Sequence, residues 1–502
     1  MASMPVPVTA LLLGLALGAC GLPLPWSVLS ALPLAAILVF TARAQSPRQA
    51  AGRLFWAGFG YMGLHLWWLG AFLVDLFRGF VPMGALAGLL FALQGAFLGA
   101  MALLATRLTP SATGRVWTLA GGWVLLEWLR MLGPLAFPWP TLGYTLLPTP
   151  AIQVADLGGV LLGSVLVALS AAALAHGWLE RWGRGWLRPA LLAALAWGGA
   201  LGYGLTRVPG EGPEQPMRVL RVTINGFDRA AGTLPADTLF GLFREPSLKR
   251  PPGSVVVWSE GAIELPGGPA PAPGLPVPNF PGPGISGIGG TEFIPTSNGG
   301  LTARRFNQVT SLNAQGQVQS ANAKARPVPF GETRPFDAVL SPLYGLLERV
   351  LGLSLGDIQP AQTLVPLTLN GVQYGTYVCY DSVFPWVART LASQGAQLLV
   401  NPSNDGWYKG WGVEQHFQMG RVRAIETRRW LVRSVNLGVA GSVNDLGQPV
   451  QTVDTGDSVQ VLDVRPRLLS GTTVFVRVGD GPALALALLM LLYGWQRRAR
   501  WL

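Results

Sequence analysis

The chain has 502 residues, which at about one domain per 150 residues would suggest three domains. Half of its residues are hydrophobic, 12% are charged and mean hydropathy is +0.39, whereas a soluble protein carries roughly twice that charged fraction. With 19 Trp and 65 Gly this excludes a disordered chain and an ordinary cytosolic enzyme and points to a membrane protein, while two Cys and three His exclude a disulfide scaffold and leave no usual zinc ligand set.

The net charge of +11 and pI near 10.2 would by themselves fit a nucleic-acid partner. Position decides against it. Residues 207–480 hold 23 basic and 21 acidic side chains, and the rest of the chain holds 13 and 4. The excess therefore lies between apolar segments, where it orients a membrane protein, and no soluble patch gathers it for nucleic acid.

A bilayer core needs about 20 mostly apolar residues per helix. Seven such stretches precede residue 207: Val6 to Leu22, Trp26 to Phe40, Leu54 to Val74, Phe80 to Ala105, Val116 to Leu132, Val154 to Leu179 and Leu187 to Leu205. An eighth, Pro482 to Trp495, closes the chain, and the first two and the last are short. If the N-terminus is cytoplasmic, the cytoplasmic connections carry eleven arginines (43, 48, 53, 107, 115, 181, 184, 188, 497, 498 and 500), against Arg78 and Arg130 on the other side. The positive-inside bias then predicts both termini in the cytoplasm and residues 207–480 outside it. Leu17-Gly18-Ala19-Cys20 looks like a lipoprotein processing site, but no basic residue precedes its apolar run and more apolar stretches follow, so Cys20 reads as a small buried residue. Glu127 and Arg130 stand at i and i+3 near a helix end, where they would form an ion pair or position lipid headgroups.

Within 207–480 the pattern changes to short β-rich runs. Val219 to Ile224, Ser254 to Trp258, Ile285 to Ile288, Asn307 to Leu312, Gln373 to Cys379, Gln397 to Val400 and Trp430 to Val435 read as strands, and Phe384 to Gln394 and Val413 to Thr427 as helices. This alternation predicts a layered α/β domain of about 270 residues. Leu265 to Pro283, full of Pro and Gly, reads as a long surface loop. Ala338 to Leu353 has a helical apolar stripe, expected either to pack on the domain core or to lie in the membrane interface.

The domain has one cysteine, Cys379, at the end of a strand-like run and before an apparent helix. Having no partner within the domain, its thiol is either inert and buried or reactive, and amides at a helix N-terminus would favour thiolate. The chain uses 33 Arg but only Lys249, Lys324 and Lys409, so each lysine invites a reason; a compact ammonium can stabilise an oxyanion. Lys324 precedes the stiff turn Pro327-Val328-Pro329-Phe330-Gly331, which would hold Glu332 in place. Glu260 ends the apolar strand Val255 to Ser259, where partial burial would raise its pKa for general-base work.

Taken together, Trp258-Ser259-Glu260, Lys324 with Pro329-Phe330-Gly331-Glu332, and Cys379-Tyr380-Asp381 resemble in order and spacing the Glu-Lys-Cys triad of the nitrilase superfamily. Asn401 to Trp407, Gln415 to Met419 and Arg433 to Asn436, with Glu127 to Arg130, Phe137-Pro138-Trp139 and Gly143-Tyr144 in the membrane half, are similar to the bacterial apolipoprotein N-acyltransferases within it. Two departures stand out. Asp381 occupies a position where that family usually has Glu, and the region Asn225-Gly226-Phe227 lacks an expected Gln, so only Phe227 is carried over from it.

The resemblance implies an eight-helix transmembrane bundle with an αββα nitrilase-like sandwich: residues 1–206 as seven helices, 207–480 as the catalytic domain, and 481–502 as the eighth helix and a basic tail. It implies ping-pong acyl transfer in the bacterial inner membrane by a monomer, with no cofactor or metal. Cys379 would attack a phospholipid ester, Glu260 would act as base, and Lys324 with an amide near Tyr380 would hold the oxyanion. The acceptor would be the α-amine of a diacylglyceryl apolipoprotein. Glu332, Tyr380 and Asp381 would support the triad, and Trp407, Tyr408, Asn404 and Phe227 would bind substrate. Asn404, Asp405, His416 and Arg433 also read as turn-forming and packing residues. A membrane-tethered amidase and a non-catalytic lipoprotein-binding module are the alternatives; the helices argue against the first and the three intact triad residues against the second.

Overall fold

The structure, a computed structural model, describes residues 5–77, 79–224, 234–295, 301–351, 356, 358–456 and 458–497. The first half is helical: α1 (Val6–Cys20), α2 (Ala31–Ala42), α3 (Pro47–His65), α4 (Trp68–Leu76), α5 (Ala87–Leu108), α6 (Ala112–Leu129), α7 (Ala155–Leu179) and α8 (Leu187–Leu205). Among the described residues three helical stretches, Pro25–Ala42, Val81–Leu108 and Pro150–Leu179, are long and apolar enough to cross a bilayer. The predicted third span is instead two helices, α3 and α4, bent by 65° at Leu66 and Trp67, and counts as a fourth if taken as one span. The N-terminal and C-terminal apolar helices are shorter, and α6 and α8 do not meet the same test.

Glu127 and Arg130 do not pair with each other as expected. Glu127 Oε1 accepts from Trp123 Nε1 at 3.2 Å and the Leu142 amide at 2.9 Å, while the Arg130 guanidinium donates to the Pro140 carbonyl. The tight turn after α6 presents those backbone groups first, and buried polar atoms take the nearest partner.

The rest of the chain builds thirteen strands, among the described residues, into one sheet: β1 (Met217–Val222), β2 (Val255–Val257), β3 (Ile263–Pro266), β4 (Gly284–Pro295), β5 (Leu301–Leu312), β6 (Val318–Ala323), β7 (Leu367–Leu369), β8 (Val372–Thr376), β9 (Leu398–Asn404), β10 (Leu431–Asn436), β11 (Ala440–Val443), β12 (Pro449–Val453) and β13 (Val459–Val464). Its helices are α9 (Ala236–Leu248), α10 (Asp337–Leu351), α11 (Pro385–Ser393), α12 (Trp411–Thr427), α13 (Val474–Val478) and α14 (Gly481–Gln496). The main path runs β6-β5-β4-β2-β1-β10-β9-β8-β7. Pairing is parallel from β8 through β9, β10, β1 and β2 to β4, so these strands are covered on both faces and read as unbroken apolar runs such as Val255–Val257. The two ends of the path approach each other: Ser311 Oγ of β5 donates to the Thr368 carbonyl at 3.1 Å, and Asn322 Nδ2 of β6 to the Val365 carbonyl at 2.6 Å, leaving a nearly closed sheet.

Among the described side chains, the stripe on α10 is largely turned away from the core. Val339 is 77% and Leu343 49% exposed, and Tyr344, whose hydroxyl donates to the Pro335 carbonyl, is its buried anchor. In the loop after Leu265, β3 takes the first residues and the remainder is turns and irregular chain.

Helix α12 joins the two halves. Inside α7, Gly158 and Gly159 leave helical geometry, with Gly159 at φ +70°, and the freed Val160 amide donates to Glu426 Oε1 on α12 at 2.8 Å. A Cβ on Gly159 would lie 2.6 Å from the Phe475 ring, so the break needs glycine on both counts. Arg428, the left-handed cap of α12, grips Asp156 Oδ2 at 2.6 and 2.9 Å and Gln153 Oε1 at 2.7 Å, and Tyr203 donates to the other Asp156 oxygen at 2.7 Å. Truncating one partner of such a largely buried pair strands the other, at about 3 kcal/mol. Arg428→Ala should therefore lower Tm by several degrees in a thermal melt and expose the connection after α8 to protease; an unchanged melt would show that this seam is held elsewhere.

Candidate active site

Every predicted triad residue lies just past the end of a strand. Glu260 follows β2 and Cys379 follows β8, at the carboxyl ends of parallel strands where α/β sheets gather ligand groups, and Lys324 follows β6, which runs in the same direction as β4 beyond the antiparallel β5. Lys324 is 1% and Cys379 3% exposed. Lys324 Nζ donates to Glu260 Oε1 at 3.1 Å and to Glu332 Oε1 at 2.7 Å, and Glu332 Oε2 is itself held by the Val328 amide at 2.8 Å. Gly287 on β4 makes room for the turn at Glu260: a Cβ there would stand 2.5 Å from the Glu260 Cα.

Two groups at Glu260 were not expected from the sequence. Asn307 Nδ2 on β5 donates to Oε1 at 2.6 Å, and the Asn404 backbone amide to Oε2 at 2.9 Å. The Asn404 carbonyl lies 3.8 Å from Cys379 Sγ, so it is the backbone of Asn404 that touches the site. Its side chain is engaged in the turn, accepting from Gly406 N at 3.2 Å and Asn436 Nδ2 at 2.9 Å. Asn307 sits in a strand the sequence does predict, but nothing in its spacing marks it.

The electrostatics reverse two expectations. Burial pushes the Glu260 carboxyl up, but the Lys324 ammonium and the hydrogen bonds from Asn307 and Lys324 outweigh it, leaving Glu260 below the usual carboxylate range and ionised. Burial first, and then the neighbouring Glu260 charge, push the Cys379 thiol well above its ordinary value. The turn at Cys379 is a five-residue 3-10 helix, Cys379–Val383, and the α-helix starts only at Pro385, so helix amides do not offset that burial. Burial would lower the Lys324 pKa, yet Glu260 and Glu332 hold it well above the usual lysine value. The resting site is therefore carboxylate, ammonium and neutral thiol.

Cys379 has φ +47°, a left-handed conformation of order 1–3 kcal/mol uphill for a side-chain-bearing residue, which persists only where neighbours enforce it. Asp381 is one of the enforcers. Its Oδ2 accepts from Val378 N at 3.1 Å and Ala325 N at 3.0 Å, and Oδ1 from Arg326 N at 2.7 Å. The shorter acid thus ties the segment after Lys324 to the one carrying Cys379, although burial pushes its carboxyl up to about 6. Asp381→Asn puts an amide among three N–H donors, leaving at least one unpaired at about 1–3 kcal/mol. We expect a lower Tm and slower acylation in that variant, both regained in Asp381→Glu; a wild-type melt and acylation rate in Asp381→Asn would show that the three amides do not need the carboxylate.

Tyr380 turns outward from the triad, its hydroxyl donating to the Ala136 carbonyl in the helical half at 3.3 Å. Trp407 meets Phe72 of α4 edge-on, with ring centres 6.1 Å apart. Tyr408 packs between Trp68 at 5.2 Å, Trp139 at 5.5 Å and His416 at 4.8 Å. Lys409 pairs with Asp75 of α4 at 2.7 Å. Gln415, for which the sequence suggests no role, bridges the halves: Oε1 accepts from Trp68 and Trp139 at 3.1 and 3.2 Å, and Nε2 donates to the His65 carbonyl at 3.0 Å. Phe227 lies outside the described residues.

A buried thiol, carboxylate and ammonium at the carboxyl edge of a nearly closed sheet define a carbon-nitrogen hydrolase domain, and residues 285–461 match the family described as carbon-nitrogen hydrolase. Residues 13–173 match the apolipoprotein N-acyltransferase N-terminal domain. The chain is 30% identical over 423 residues to the apolipoprotein N-acyltransferase of Agrobacterium fabrum, covering 81% of this chain and 78% of the relative. It is 30% identical over 467 residues to that of Pseudomonas aeruginosa, covering 88% and 87%. A solved amidase from Nesterenkonia sp. aligns at 15% identity with a TM-score of 0.33 over 52% of this chain and 93% of its own. This chain belongs to the apolipoprotein N-acyltransferase family, and it is an acyltransferase.

Proposed function

We propose that the chain moves an acyl chain from a membrane phospholipid to the N-terminal α-amine of a diacylglyceryl apolipoprotein, through a thioester on Cys379. The observation that carries this reading is the Lys324 ammonium held between two carboxylates beside a neutral thiol. Glu260 takes the Sγ proton as sulfur bonds to the ester carbon; Lys324 and the Tyr380 N–H hold the oxyanion; the C–O bond breaks, and Glu260 returns the proton to the departing lysophospholipid. In the second half-reaction the amine attacks the thioester, Glu260 takes its proton, and the thiol is regenerated. Glu332 orients Lys324. Trp407 and Tyr408 line the acyl path, with Phe227 and the turn at Asn404 completing the substrate contacts.

The same reading places residues 1–206 and 481–502 as an eight-span membrane unit in the bacterial inner membrane, the catalytic domain of residues 207–480 outside the cytoplasm as an αββα sandwich, and both ends of the chain inside. It is supported by the eight apolar helical regions and by the arginine asymmetry of their connections. The enzyme acts as a monomer.

The test uses purified protein in phospholipid carrying a labelled acyl chain, followed by a diacylglyceryl-cysteine peptide. Label should appear on the protein and pass to the peptide amine, whereas release as free fatty acid alone would favour a hydrolase and no uptake a binding module. The pH dependence should split between the half-reactions. Glu260 stays ionised above its ordinary 4.5 and Cys379 stays a thiol up to its ordinary 9.0, so acylation should be flat from about pH 7 to 9, falling below about 6 where Asp381 takes up a proton. Transfer should rise through about pH 8 as the acceptor amine loses its proton. An acylation rate that climbs tenfold per pH unit would mean that the resting thiol loses its proton to solvent before attack and that Glu260 is not its base.

A further inference from the structure

Beneath the triad lies a second buried polar group that the mechanism above does not use. Asp405 and His416 are both fully buried, and His416 Nδ1 is 2.9 Å from Asp405 Oδ1. Arg433 Nη2 donates to Asp405 Oδ2 at 3.1 Å, its Nε donates to Asn401 Oδ1 at 3.2 Å, and Ser403 Oγ donates to Asp405 Oδ1 at 2.6 Å. The Arg433 charge and His416 outweigh burial and hold the Asp405 carboxyl below the usual carboxylate range. The ring is also fixed by its faces, stacking on Trp139 at 6.3 Å and lying 4.8 Å from Tyr408. Its far nitrogen, Nε2, points at the nucleophile's own segment: 2.7 Å from Ser382 Oγ and 3.3 Å from the carbonyl oxygen of Cys379.

That carbonyl shares one planar trans peptide with the Tyr380 N–H, and in such a unit C=O and N–H point in opposite directions. Whatever anchors the Cys379 oxygen on the α12 side aims the Tyr380 hydrogen the other way. The peptide before Cys379 is secured separately, its Val378 carbonyl accepting from the Asp381 amide at 2.9 Å, while the Asp381 carboxylate holds the Val378 N–H one peptide earlier. The left-handed Cys379 is thereby clamped on both sides, by a carboxylate before it and an imidazole after it. Burying an aspartate, an arginine and a histidine is costly unless geometry is well satisfied, and this cluster is satisfied toward the one peptide whose direction matters for an oxyanion.

We propose that His416 is a positioning residue: with Arg433 Nη2, itself held by Asp405, donating to Nδ1 at 3.2 Å, the ring carries its hydrogen on Nε2 and aims the Tyr380 N–H at the acyl oxyanion by anchoring the Cys379 carbonyl. The proposal rests on Cys379 being the acylated nucleophile. It separates two reactions of the same thiol. Acylation passes through a tetrahedral oxyanion, whereas alkylation by iodoacetamide is a displacement at carbon that needs the thiol and its base but no oxyanion donor.

In the full-length protein in phospholipid, His416→Phe and Asp405→Asn should slow acyl-enzyme formation by about 10²-fold, the effect of losing one oxyanion donor, with KM for phospholipid within about twofold and alkylation of Cys379 within about threefold of wild type. His416→Gln, which keeps a side-chain donor, should recover at least tenfold of that loss. Should His416→Phe fail to fold, Asp405→Asn and His416→Gln carry the same comparison. Acylation within about threefold of wild type, or alkylation falling in parallel with acylation, overturns the proposal. A wild-type protein that alkylates at Cys379 yet takes up no acyl group instead overturns the thioester reading on which it rests.

Discussion

Cys379→Ala should fold as the wild type does and form no acyl adduct. The side chain is small and almost completely enclosed, so trimming one sulfur moves little, whereas the proposed reaction loses its nucleophile. Removing a covalent nucleophile lowers turnover by about 10⁴-fold or more, with the remaining rate owed to binding and oxyanion stabilisation. Intact-mass measurement after incubation with phospholipid reads this directly, alongside an unchanged melting curve. An adduct of wild-type size in Cys379→Ala would move the nucleophile elsewhere.

Lys324→Met should damage both activity and stability, for separable reasons. The ammonium is bonded to Glu260 and Glu332 at 3.1 and 2.7 Å, and without it two carboxylates face each other in a buried space. Breaking such a pair is worth about 3–5 kcal/mol, because charge is left uncompensated. Loss of the oxyanion cation should also slow acylation by about 10²–10³-fold. Combining Lys324→Met with Glu332→Gln removes one stranded charge, so the double variant should regain much of the lost Tm and none of the acylation rate. If both recovered together, the lysine would be serving the fold alone.

How much of this could be read from the sequence depends on the kind of information each residue carries. Glu260, Lys324 and Cys379 each follow a run whose apolar pattern marks a strand, so their placement at strand ends was legible. The direction of their charge states was not. Local spacing suggests a helix amide beside Cys379 and partial burial at Glu260, but the values are set by which ion lies opposite, and Lys324 reaches Glu260 across 64 residues of sequence. Asn307 and the Asn404 amide were invisible for the same reason, since they meet Glu260 only once β5 and β9 are in the sheet. His416 reads as packing because a lone histidine has no partner pattern in sequence; its partners Asp405 and Ser382 come from different turns. Helix α9 escapes the periodicity because Pro246 and its polar residues interrupt it, and β11 to β13 are runs of four to six residues that the pattern does not mark. The bend between α3 and α4 escapes notice in an apolar run that continues through it.

The bond from Val160 to Glu426 has a further consequence for how the molecule is made. Its two partners stand 266 residues apart, so a growing polypeptide must carry an incomplete seventh helix until nearly all of the later domain has been synthesised and has collapsed. An amide without an acceptor in apolar surroundings is several kcal/mol unfavourable. Premature termination before residue 426 thus leaves a product with a built-in defect inside its own helical half.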